Sequence, residues 1–146
     1  MDRLGRKTIQ MLGFGMMTVT FGLLAMIPNI QELTYPFILI YGLNYFFTEF
    51  GPNATTFVYP SEIFPVKVRT TAHGIAAAMG KIGGFAGVFT FPFFTRWHGL
   101  SAAEGVPAIV SILGLVCTAV LFPETKGKSL EQLSEWTLNM DEKAAA

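Results

Sequence analysis

Four long apolar runs occupy most of this 146-residue chain, and short polar linkers separate them. The runs cover residues 8–27, 36–59, 72–95 and 105–122, so each is about 18 to 24 residues long, as a helix must be to cross a hydrocarbon core about 30 Å thick. Backbone N–H and C=O groups in lipid must be satisfied within their own segment. The sequence therefore predicts an all-α membrane protein with four transmembrane helices.

The composition narrows the function classes. Charged residues make up only 14% of the chain, against about 25% in an average soluble domain, and the shortfall lies in the four runs. The net charge of zero gives no electrostatic case for a nucleic-acid partner. No nucleophile elbow, P-loop or HExxH pattern occurs, and Cys117 is the single cysteine, so we predict no enzyme, cofactor or metal site.

The linkers alternate in basic charge. Three Lys or Arg residues precede the first run, none lies in 28–35, two lie in 60–71, one lies in 96–104, and three follow the fourth run. Because cytoplasmic loops carry the excess of Lys and Arg, both termini and the linker 60–71 are predicted to be cytoplasmic. The protein is expected to be a multi-pass component of the cell membrane, with neighbouring helices antiparallel.

Proline and small residues mark two special places in the runs. Gly51 and Pro52 predict a kink or local unwinding in the second run, although membrane helices also tolerate proline without further consequence. Small residues at four-residue spacing in the third run predict close packing against a neighbouring helix. They are Ala76, Gly80 and Gly84, and Gly83 and Gly87.

A polar face interrupts the second run. Tyr45, Glu49 and Asn53 are spaced four residues apart, so they lie on one side of a helix. Lys81 lies near the middle of the third run, where a charge needs a partner or a wet cavity. We predict a site for a small hydrophilic solute, in which Lys81 supplies positive charge, Asn53 and Tyr45 supply hydrogen bonds, and Glu49 transfers protons or balances charge.

Structural alternatives exist for each of these residues. Glu49 and Lys81 would also satisfy each other as a buried ion pair, and Asn53 would also serve a backbone carbonyl freed by Pro52. His73, near the end of the third run, suits the membrane interface better than a ligand site.

Three linker motifs resemble those of the major facilitator superfamily, in order and at matching spacing. Residues 2–7 (DRLGRK) resemble its D-R-x-G-R-R/K loop, residues 62–69 (EIFPVKVR) its E-x-x-P-x-x-x-R segment, and residues 123–127 (PETKG) the signature after the last helix of sugar porters. The resemblance implies that residues 1–127 are a partial transmembrane domain, matching helices nine to twelve of a twelve-helix transporter. The counterparts of the first eight helices are then missing partners, and residues 128–146 are a cytoplasmic tail.

The same resemblance implies a gating network and a substrate class. Charged groups of the motifs would form bonds to one another or to helix ends at the cytoplasmic face; they are Asp2, Arg3, Arg6, Glu62 and Arg69. The stretches 51–57 and 73–81 resemble the phosphate:proton symporter branch, where the matching Asn and Lys are associated with phosphate binding. Glu49 departs from that pattern, which leaves sugars and organic acids open as substrates. A four-helix membrane partner or regulator without transport activity is the alternative from another class.

Overall fold

The helices follow the four predicted runs. The computed structural model describes residues 4–27 and 29–128, and the regular structure in those residues is helical throughout. The elements are α1 (Arg6–Met26), a 3₁₀ helix (Ile30–Glu32), α2 (Thr34–Thr48), a π-helix (Glu49–Asn53), α3 (Ala54–Ile63) and α4 (Arg69–Leu121). Helix α1 matches the first run, and α2, the π-helix and α3 together match the second. Helix α4 contains both the third and the fourth.

The prediction of a linker at 96–104 is wrong, because the backbone there is helical on both sides of a single break. Only Gly99 departs, with φ 83° and ψ 167°, a conformation that side chains with a Cβ disfavour. We call residues 69–98 and 100–121 the first and second limbs of α4. Gly83 and Val110 line one cavity, whereas a straight helix would hold them about 40 Å apart. The chain therefore reverses direction at Gly99.

Two helices, Arg6–Met26 and Arg69–Leu121, are each long and apolar enough to cross a bilayer. The second run does not qualify by itself, because the π-helix divides it into α2 and α3. The all-helical fold is confirmed in the described residues. Four separate spans remain a prediction, and the amphipathic helix expected from Ser129 onward lies outside the described residues.

The π-helix occurs where the sequence predicts a disturbance. Pro52 has no N–H, so the carbonyl four residues earlier loses its usual partner, and the backbone widens through Glu49–Asn53. Elsewhere hydroxyl groups donate to the carbonyl four residues before them, which satisfies them inside their own helix, as lipid requires. They belong to Thr18, Thr20, Thr48, Thr55, Thr56, Thr90, Thr95, Ser111 and Thr118.

A close contact between helices involves two glycines that the small-residue pattern did not single out. A Cβ built on Gly13 would lie 2.6 Å from the Cα of Gly51, so α1 and the π-helix touch backbone to backbone. The close packing predicted for the third run is not found among the described residues. Side chains there would meet nothing within 4 Å at Gly80, Gly83, Gly84 and Gly87.

Polar and apolar side chains are distributed in the reverse of a soluble core. Buried polar or charged residues outnumber buried apolar ones among the described residues, and large apolar side chains such as Tyr35 (89% exposed), Val88 (77%) and Phe85 (72%) face outward. Apolar surface on this scale marks contact with lipid or with further protein. The buried polar residues are Gln10, Thr20, Asn44, Thr55, Glu104, Ser111, Thr118 and Thr125.

Candidate functional site

The polar face of the second run centres on the π-helix. The Nδ2 of Asn53 donates a hydrogen bond to Oε2 of Glu49 at 2.6 Å. This bond spans one turn of the widened backbone, and both side chains are exposed. Tyr45, one turn earlier on α2, is 65% exposed. The three residues thus present hydrogen-bonding groups on the outside of the described helices, and Asn53 serves Glu49 rather than a carbonyl freed by Pro52.

Lys81 lies exposed on the first limb of α4. No hydrogen bond or ion pair joins it to any residue in 4–27 or 29–128. The buried Glu49–Lys81 ion pair is therefore not formed. A lysine at the centre of a membrane helix costs about 2.5–3.5 kcal/mol on insertion scales, so an exposed Lys81 calls for water, a solute or a partner.

His73 packs at the beginning of the first limb. Its ring centroid lies 6.2 Å from that of Phe57 on α3, so it links α3 to α4. This placement agrees with a packing or interfacial residue, and no group of three or more metal-ligating side chains occurs among the described residues.

A second polar group joins three chain segments at the end of the bundle where α1 begins. Arg6 donates from Nε (3.1 Å) and Nη2 (2.8 Å) to Oε1 of Glu62, at the end of α3. Both side chains are largely buried, at 17% and 18% exposure. The backbone N–H of Arg6 donates to Oε1 of Glu124, at 2.9 Å. We call Arg6, Glu62 and Glu124 the latch cluster.

Further bonds tie the same end together. Lys7 Nζ donates to the carbonyl of Ala119 at 2.8 Å, where the last carbonyls of the second limb carry partial negative charge. The Tyr59 hydroxyl donates to the carbonyl of Pro123 at 3.3 Å. Arg69 Nε donates to the carbonyl of Phe64, just beyond α3, at 3.0 Å. Among the described residues, Arg69 therefore bonds to a helix end and not to a carboxylate.

The sequence reasoning missed Glu124, which it used only to mark the PETKG motif. Its Oε1 also accepts the backbone N–H of Lys126 at 3.1 Å, so one carboxylate oxygen holds two segments. Gly5 has a φ of +87°, and a Cβ there would lie 2.5 Å from Oε2 of Glu124. The glycine in the DRLGRK motif thus makes room for the glutamate of the PETKG motif. Asp2 and Arg3, which we predicted to join this network, lie outside the described residues.

A lipid-compatible helical bundle with an exposed polar face and a charged cluster at one end is typical of a membrane transport protein. Residues 1–136 match the family described as Sugar (and other) transporter, of the major facilitator superfamily. The chain belongs to this family. This supports the expectation that it is not an enzyme.

Named relatives carry the comparison further. The chain is 46% identical over 138 residues to Probable inorganic phosphate transporter 1-6 of Arabidopsis thaliana, covering 91% of this chain and 26% of the relative. It is 42% identical over 149 residues to Inorganic phosphate transporter 1-4 of Arabidopsis thaliana, and 43% identical over 152 residues to Inorganic phosphate transporter 1-6 of Oryza sativa subsp. japonica, in each case covering 91% of this chain and 28% of the relative. The chain therefore spans about a quarter of the length of these relatives.

Proposed function

We propose that this chain forms one wall of a proton-coupled secondary transporter for inorganic phosphate, as the counterpart of helices nine to twelve. The observation that carries the proposal is the exposed, unpaired Lys81 on a membrane helix, in a chain whose relatives are named for inorganic phosphate transport. The remaining wall is supplied by the counterparts of the first eight helices, and the bundle is embedded in the cell membrane through four spans.

Charge supports an anionic solute. The oxygens of a dianionic phosphate accept hydrogen bonds and attract an ammonium group. Lys81 supplies such a group, and no carboxylate among the described residues is paired with it. Tyr45 on α2 and Asn53 at the end of the π-helix add donors on the second run. Glu49 accepts a hydrogen bond from the Asn53 amide, and in this proposal its carboxylate takes up a proton or balances charge.

Glu49 also favours a second candidate, a sugar or organic-acid transporter of the same family. A carboxylate at 2.6 Å from the Asn53 amide opposes an anion but accepts sugar hydroxyls well. Competition by unlabelled glucose and by unlabelled phosphate in the same uptake assay separates the two.

The latch cluster suggests how one side of the pathway closes. We place it on the cytoplasmic face, because the Lys- and Arg-rich linkers are expected there. Two guanidinium N–H groups of Arg6 donate to one oxygen of Glu62 in a largely buried contact, and the backbone N–H of Arg6 donates to Glu124. These bonds hold α1, α3 and the segment after α4 together. Rocking of the bundle against the counterparts of the first eight helices would break these bonds and open the pathway.

The proposal is tested with a chimera. Residues 1–136 replace the matching segment of Inorganic phosphate transporter 1-4 of Arabidopsis thaliana, and uptake of radiolabelled phosphate is measured in phosphate-transport-deficient yeast. We expect uptake that an uncoupler abolishes. Lys81→Ala is expected to reduce it at least tenfold, on the order of 1.4 kcal/mol of lost solute interaction.

The matched control is Lys67→Ala, which removes an exposed lysine from the loop before α4. It is expected to leave uptake unchanged. Unchanged uptake and affinity in Lys81→Ala would contradict the assignment of Lys81 to the solute site. Uptake that is insensitive to the uncoupler would contradict proton coupling. A chimera that reaches the membrane without transporting would favour a regulatory or partner protein.

A further inference from the structure

A cavity of about 620 Å³ lies beside the Gly99 reversal, far from the latch cluster. Side chains of α1, α2 and both limbs of α4 line it. Its volume falls within the range of about 300–1,000 Å³ that small-molecule sites occupy. None of Lys81, Asn53, Glu49 and Tyr45 lines it, so it is separate from the proposed solute site.

One charged residue, Glu104, stands in the wall of this cavity. It is 5% exposed, and no hydrogen bond or ion pair reaches it from the residues that the structure describes. Glu32, Lys7 and the residues of the latch cluster do not line the cavity. A buried, unpaired carboxylate either takes up a proton or is stabilised by a counter-charge, and the adjoining cavity is where a counter-charge would fit.

The rest of the wall is suited to an organic body. Aromatic rings contribute at Phe21, Tyr41, Phe91 and Phe94, and aliphatic groups at Val88 and Val110. Ring faces carry partial negative charge and attract cations within about 6 Å of the centroid. Apolar side chains bind hydrocarbon but give nothing to a bare inorganic ion.

These observations select one class of ligand. A divalent metal ion needs several oxygen ligands, and the described wall offers a single carboxylate. An inorganic anion is repelled by Glu104. We propose that the cavity beside Gly99 binds a hydrophobic organic monocation, with the Glu104 carboxylate as its counter-ion and the aromatic rings around its body.

The test uses the purified full chain in detergent micelles, with radiolabelled benzyltrimethylammonium as the probe and equilibrium dialysis as the measurement. We expect saturable binding of one probe per chain. Glu104→Gln keeps the size of the side chain but removes its charge, and it is expected to weaken binding at least tenfold. Glu32→Gln, an exposed glutamate at the same end of the bundle, is the matched control and is expected to bind as the unchanged chain does.

A second variant separates a loss of binding from a loss of fold. Gly87 lines the cavity, and a Cβ there would meet nothing within 4 Å, so Gly87→Leu places a side chain in open space and leaves Glu104 intact. It is expected to reduce binding by occupying part of the cavity, while circular dichroism keeps its helical signal. Absence of saturable binding, equal binding by Glu104→Gln, or equal competition by the neutral isostere neopentylbenzene would each overturn the proposal. None of these results depends on phosphate transport.

Discussion

Helix α1 and the first limb of α4 are both long apolar helices, yet their surroundings are opposite. Helix α1 buries Ile9, Gln10, Gly13, Thr20 and Leu24 against its neighbours. No residue from 69 to 98 is buried. The contact between Gly13 and Gly51 has no counterpart at the glycines of the first limb, where a Cβ would meet nothing within 4 Å. The comparison teaches that apolar length predicts a membrane helix but does not predict which helix is packed within this chain.

The largest expected effect concerns α1, the helix that is packed within this chain. Gly13→Ala puts a Cβ 2.6 Å from the Cα of Gly51, and backbone atoms cannot move aside as a side chain does. Over-packing costs about 1–3 kcal/mol, and we expect a value at the upper end. Unfolding of the purified chain by denaturant in mixed micelles measures the free energy.

The control for this prediction lies in the same helix. Gly15→Ala makes the same substitution two residues later, where nothing lies within 4 Å, and is expected to be neutral or slightly stabilising. Equal losses in the two variants would show that the Gly13–Gly51 contact does not hold α1 in place.

The next effect concerns the charged bonds of α1. Arg6→Ala removes two donors from Glu62 and leaves that carboxylate largely buried without its ion-pair partner. Hydrogen bonds to charged groups are worth about 1.5–3 kcal/mol, and we expect about 1–2 kcal/mol here because the pair keeps some access to solvent. Denaturant unfolding measures it, with Lys67→Ala as the control. A loss of stability no larger than that of Lys67→Ala would show that the latch cluster contributes no more than a surface contact does.

A smaller effect is expected where α1 meets the second limb of α4. Gly114→Ala places a Cβ 2.5 Å from the edge of the Phe14 ring. A ring is able to rotate or shift, so we expect a loss of about 1 kcal/mol or less. Phe14→Leu combined with Gly114→Ala is expected to restore stability, since the shorter side chain leaves room. If the double variant is less stable than Gly114→Ala alone, the two residues do not compete for the same space.

The sequence predicted the helices well because long apolar runs and proline have direct physical consequences. Pro52 disturbs the second run where its missing N–H requires it, in the form of a π-helix. The reversal at Gly99 was expected as a nine-residue linker, because Arg96 and Glu104 look like loop residues when depth in the bundle is unknown. In the structure they are helical, and one glycine at positive φ makes the turn.

The sites were harder to predict, since side-chain contacts across helices leave little local signal. Arg6 and Glu62 were expected in one network from their motifs, and the structure brings them together. Glu124 and Glu104 were missed because a carboxylate near a run end is usually a solvated linker residue. Glu49 and Lys81 were matched by depth alone, which does not fix the direction in which either side chain faces.

The smallest expected effect concerns the first limb of α4, in which no residue is buried. Gly84→Ala on the first limb adds a methyl group to empty space, so the isolated chain should change in stability by no more than about 0.5 kcal/mol. In the chimera, helices from the other part of the transporter are expected to cover this face, and close approach of small residues then becomes necessary. There Gly84→Ala should lower phosphate uptake, while Gly15→Ala on α1 should not. A face that tolerates Gly84→Ala in both settings would be exposed to lipid, whereas a loss in the chimera alone would identify it as the surface on which the remaining helices pack.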